Sequence, residues 1–82
     1  MSISGTECVA ALRLAGFRVM RHHTGTTLLV RAMRHVLVPD ALVLSSDVLD
    51  ALLEEANLSH ERFLWMLSEA ATQTDLPVVE GA

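Results

Sequence analysis

Few residues in this chain carry side chains able to exchange protons or bind a metal near neutral pH, and the densest group is the adjacent pair His22-His23, followed by Thr24-Gly25-Thr26. Imidazole changes charge close to neutrality and can serve as a general acid or base. If the pair flanks a tight hairpin, His22 or His23 could lie opposite Thr26 across the ladder, within roughly 5 Å between Cα atoms. The opposing reading is two solvated histidines in an exposed turn. His35 and His60 complete the set. No two of the four stand at the i, i+4 helical spacing of a metal motif, and adjacent strand residues point to opposite faces. The expectation is therefore no metal site and no cofactor. Cys8 with a histidine, or Ser45 with His60, can be written as nucleophile and base. The first is weakened because packing claims the thiol, and the second because such pairs are common.

The elements that position these residues are legible. Ser4-Gly5-Thr6-Glu7 fits a capping box, and Ile3 and Cys8 stand where a hydrophobic staple closes. Cys8, Ala11, Leu12 and Ala15 recur at helical spacing, and Gly16 is placed for a left-handed cap. Phe17 to Arg21 reads as a strand with Phe17 and Val19 on one side. His22 to Gly25 reads as the turn, and Thr26 to Arg31 as the second strand. Ala32-Met33-Arg34 contains no Gly, Asn or Pro, which leaves the second turn unplaced. His35 to Val38 is a third strand stopped by Pro39. Ser45 or Ser46 caps a second helix with Leu49, Leu52, Leu53 and Ala56 inward, and Asn57 ends it. Ser59 caps a third helix with Phe63, Leu64, Met66, Leu67 and Ala70 inward. Residues 1–71 are thus read as one domain and 72–82 as a tail, whose Leu76, Val78 and Val79 could add to a sheet edge or dock on a partner. Strands without helical crossovers imply an antiparallel sheet, so the expected fold is α+β, in the order α-β-β-β-α-α, with one helical layer.

Eighty-two residues make one small domain, and its only aromatics are Phe17, Phe63 and Trp65. The core must be aliphatic, and few rings are left to stack on bases. A single cysteine excludes an intrachain disulfide, and no apolar run reaches the roughly 18 residues of a membrane span. The expectation is a cytoplasmic protein without a membrane partner. Net charge is −4, but residues 1–39 hold five arginines against Glu7, while residues 40–82 hold nine carboxylates against Arg62. That asymmetry suits a nucleic-acid-facing surface or self-association into a homo-oligomer; two solvated faces are the alternative.

The pattern Leu12-x-x-Ala15-Gly16-Phe17-x-Val19-x-Arg21, then a hairpin, Val36-x-Val38-Pro39, and Leu49-x-x-Leu52-Leu53-x-x-Ala56-x-Leu58-Ser59-x-x-x-Phe63-Leu64 resembles the HicA (YcfA-like) toxins of HicA–HicB toxin–antitoxin pairs. The resemblance implies a double-stranded-RNA-binding-domain-like fold and, for active members, mRNA cleavage by a histidine in a Gly-Ser-His triplet at the first hairpin. Here that triplet falls on Thr24, Gly25 and Thr26, so Thr26 stands in the catalytic place, and a threonine hydroxyl cannot cycle a proton as imidazole does. The resemblance also puts Asp40 where a basic residue is usual and Asp47 where glycine is usual. The reading is therefore a nuclease-inactive, HicA-like domain that binds a protein partner or itself. An mRNA interferase using His22 or His23 and a non-cleaving RNA binder are the alternatives. Arg18, Arg21, Arg31 and Arg34 are the expected binding residues, and alternation could set several of them on the open face of the sheet.

Overall fold

The computed structural model describes residues 2–75. Ser4 caps α1 (Gly5–Leu14) through the predicted box. Its hydroxyl accepts from the Glu7 amide at 3.1 Å, and the Ser4 amide donates to Glu7 Oε1 at 2.9 Å. Ile3 and Cys8 are both buried as a staple requires. Ala15 closes the helix and Gly16 turns the chain at φ +101. β1 (Arg18–His23), β2 (Thr26–Arg31) and β3 (Arg34–Pro39) follow as an antiparallel sheet in the order β1-β2-β3. Ser45 caps α2 (Ser46–Ala56), Asn57 ends it at φ +59, and α3 (His60–Asp75) closes the described chain. The predicted α+β order is the observed one.

α1 and α2 pack on β3, and α3 packs on α1. The register pairs Thr27 with Val38 and Leu29 with Val36, which puts these four on the helix side, where all are buried. With Cys8, Leu12, Phe17, Leu53 and Phe63 they form one core. The layer is centred on β3, so β1 lies beyond its cover and is exposed at every position.

Three expectations need correction. His22 and His23 are not turn residues: they pair with Thr27 and Thr26 as the last two of β1, because Thr24 and Gly25, with Gly25 at φ +76, suffice for the turn. Val19 is not buried beside Phe17, since no helix covers β1; it is 44% exposed. Leu64 points outward at 42% exposure, one position out of phase with Phe63, Met66 and Ala70. α3 also runs to Asp75, four residues past position 71, while Leu76, Val78 and Val79 lie outside the described residues.

The second hairpin turn is Ala32-Met33, between the paired Arg31 and Arg34. Ala32 adopts φ +55, a conformation that is costly for any residue with a Cβ. Ala32→Gly should therefore stabilise the fold by about 0.5–1 kcal/mol, read as a rise of roughly 4 °C in Tm. An unchanged or lower Tm would mean that the turn carries no such strain.

Candidate functional site

The first hairpin brings the histidines to the two faces of β1. His22 is opposite Thr27 and His23 is opposite Thr26, so the imidazoles alternate between the helix side and the open side. His23 is thus the residue across the ladder from Thr26, and its ring has no hydrogen-bond partner among the described residues.

His22 is differently placed. Its Nε2–H donates to Asp40 Oδ2 at 2.9 Å, and the Asp40 amide donates to the Gly25 carbonyl at 2.8 Å. The chain just after β3 therefore clasps the first hairpin turn with both backbone and side chain. A carboxylate that fixes a histidine is the orienting half of an acid–base arrangement, and it leaves Nδ1 as the nitrogen free to exchange protons. The hydroxyl nearest in register is that of Thr27, which is buried and out of reach of a substrate. The other such pair, His60 with Asp50 at 2.8 Å, joins α3 to α2. Two pairs of similar length, both at exposed positions, mark the arrangement as a tether the fold uses twice.

The arginines divide in the same manner. A bulge between Val19 and Arg21 inserts Met20, so Arg18 and Arg21, three apart in sequence, stand opposite Val30 and Leu28, two apart on β2. Both therefore share the open face with Leu28, Val30, Leu37, His23 and His35. Arg31 and Arg34 fall on the helix side. Arg31 lies across Gly16, and Arg34 Nη1 donates to the Glu55 carbonyl at 3.2 Å, near the negative end of α2. Two of the four expected binding residues are thus gathered on the open face and two are engaged at the opposite hairpin end. The sequence missed this partition because it hinges on the bulge, and missed Asp40 as the partner of His22.

No protein-family model and no curated protein matches this chain.

On the open face β2 contributes the half-buried Leu28 and Val30, β3 adds Leu37 at 56% exposure, and the strands bring no carboxylate and no Phe, Tyr or Trp. Among the described residues no three His, Cys, Asp or Glu side chains converge as a metal set would, and no helix is long and apolar enough to cross a membrane. Cys8 is enclosed by the core, and burial pushes its thiol up from 9.0 to about 11, so it is a packing group and not a nucleophile. The native thiol should resist a disulfide reagent at pH 8 and react promptly in denaturant; equal rates would refute its enclosure. Because the folded value lies above the unfolded one, the neutral thiol's contribution is intact below about pH 9 and lost as pH rises through about 11. A urea titration of Cys8→Ala against the parent should show the difference narrowing across that window.

Proposed function

We propose that this chain is a HicA-like domain without nuclease activity that works by docking a protein on the open face of its sheet. The observation that carries the reading is that face itself, in which exposed Leu37 and half-buried Leu28 and Val30 lie, with no helix over them, beside Arg18 and Arg21. Uncovered aliphatic side chains bordered by arginine suit a protein partner, since arginine is enriched at interface hot spots and apolar burial supplies the affinity. RNA is the poorer fit. The face has no Phe, Tyr or Trp on which to stack bases, only the imidazoles of His23 and His35, and α2 has Asp47 and Asp50 in its first two turns, where they would repel phosphate. Loss of catalysis rests on Thr26, whose hydroxyl occupies the position of the family's histidine.

Tagged protein expressed in its own cells should retain co-purifying protein that is lost with Arg18→Glu/Arg21→Glu. Retention by that variant would move the docking surface elsewhere. A second reading, an mRNA interferase, draws on the His22–Asp40 pair. Purified protein incubated with mRNA should leave it intact; cleavage abolished by His22→Ala would establish the enzyme instead.

A further inference from the structure

We infer that one occupant of the open face is a second copy of this chain, which offers the acidic outer side of its α2, so that molecules stack head to tail. The inference rests on the docking reading above and names the partner for that surface. Two patches on opposite sides of the same molecule are complementary in charge and in apolar content. The first is the open sheet face, with Arg18 and Arg21 beside Leu28, Val30 and Leu37 and no carboxylate. The second is α2, which carries Asp47, Asp50, Glu54 and Glu55 and no basic residue.

α2 buries Leu52, Leu53 and Ala56 against the rest of the fold, so at 3.6 residues per turn Asp47, Asp50, Ala51 and Glu54 form the outward stripe. The connection that leads into it holds Leu42 at 91% and Val43 at 58% exposure, an apolar pair with nothing over it among the described residues. The acidic patch therefore has an apolar flank, as the basic patch does.

Spacing agrees as well. The bulge sets Arg18 and Arg21 against β2 residues two apart, about 7 Å along the strand. Asp50 and Glu54 are one helical turn apart, about 6 Å. Two parallel arginine–carboxylate contacts are thus geometrically compatible. Asp50 keeps its bond to His60 Nε2 while more than half its side chain remains exposed. Since the sheet face and the outer side of α2 look in opposite directions, each molecule uses both patches on different neighbours. Such a heterologous contact grows as an open chain or closes as a ring, and does not make a two-fold dimer.

Sedimentation velocity on the full chain tests this. Mass should rise continuously with concentration up to about 1 mM, and association should weaken about ten-fold between 50 and 500 mM salt, as screened surface charges require. Arg18→Glu/Arg21→Glu and Asp50→Lys/Glu54→Lys should each leave a monomer, and the four changes in one chain should restore assembly. All four positions are exposed, and circular dichroism verifies that each variant is folded. Leu37→Ser/Arg21→Ser mixed with Leu42→Ser/Val43→Ser should give a 1:1 dimer that grows no further, because only one contact remains. A monomer at every concentration overturns the proposal, and so does a dimer that persists in both charge variants. If the face variants abolish assembly and the α2 variants do not, the face reading stands and α2 as its occupant falls. If the chain stays monomeric while a different protein co-purifies through Arg18 and Arg21, the face reading again survives alone.

Discussion

Replacing Gly5 with alanine is expected to destabilise the fold by about 3 kcal/mol or more. Gly5 is the first residue of α1, and its amide donates to the Ala41 carbonyl at 2.8 Å. The backbone at the end of β3 lies directly against it: a Cβ on Gly5 would overlap the Pro39 carbonyl oxygen far inside van der Waals contact and crowd the Ala41 nitrogen. Backbone on an edge strand cannot rotate aside as a side chain would, so α1 must move off the sheet. That movement strains two bonds, Gly5 N–H to Ala41 O and Leu44 N–H to Ile3 O at 2.7 Å, which hold the helix start to the chain leaving β3. A domain of this size has a total stability of roughly 4–12 kcal/mol, so a large part of it is at stake. Urea unfolding should show the midpoint falling sharply. Gly25→Ala is the comparison: Gly25 sits at φ +76 with nothing near the added methyl, and costs only the conformational term of about 1 kcal/mol. If Gly25→Ala proves the more damaging change, the close approach at Gly5 is not the constraint.

Gly5 also shows where a sequence stops being readable. Inside Ser4-Gly5-Thr6-Glu7 it looks like filler in a capping box, and the box is local enough to read from four residues. The reason for a glycine is Pro39, far along the chain. The same division runs through the molecule. Caps at Ser4, Ser45, Ser59 and Asn57 depend on neighbours in sequence, and all four are found where propensity puts them. The second hairpin could not be placed because its turn has no turn-forming residue, and the structure holds Ala32 in a conformation that its side chain disfavours. Strand alternation predicts faces only while the ladder is regular. One inserted residue, Met20, breaks the phase of β1 and joins Arg18 to Arg21 on one face. Likewise, the pairing of His22 with Asp40 follows from the meeting of a hairpin turn and a loop, which no spacing rule encodes.

Truncating Phe63 to alanine should cost about 3–5 kcal/mol, the loss typical of a fully enclosed aromatic. Phe63 is completely buried and is the largest side chain so placed. Its importance comes from where α3 sits. The helix packs mainly on α1 and makes no major contact with the sheet, so Phe63 and Met66, with Leu67 packed against them, are what fasten it to the core. Removing the ring both opens a cavity and releases the anchor. If α3 then leaves the core before the rest unfolds, the urea m-value should fall together with the midpoint, because less surface remains to be exposed in the main transition. Leu64→Ala provides the control for helical phase. Leu64 follows Phe63 directly and was expected inward by the sequence pattern, yet it is 42% exposed. Its truncation should change stability by no more than about 0.5 kcal/mol. Comparable losses at the two positions would contradict the observed phase of α3. A large loss at Phe63 beside a small one at Leu64 would fix which side of the helix faces the core, and leave the outward side, with Leu64 and Trp65, free for contacts beyond the fold.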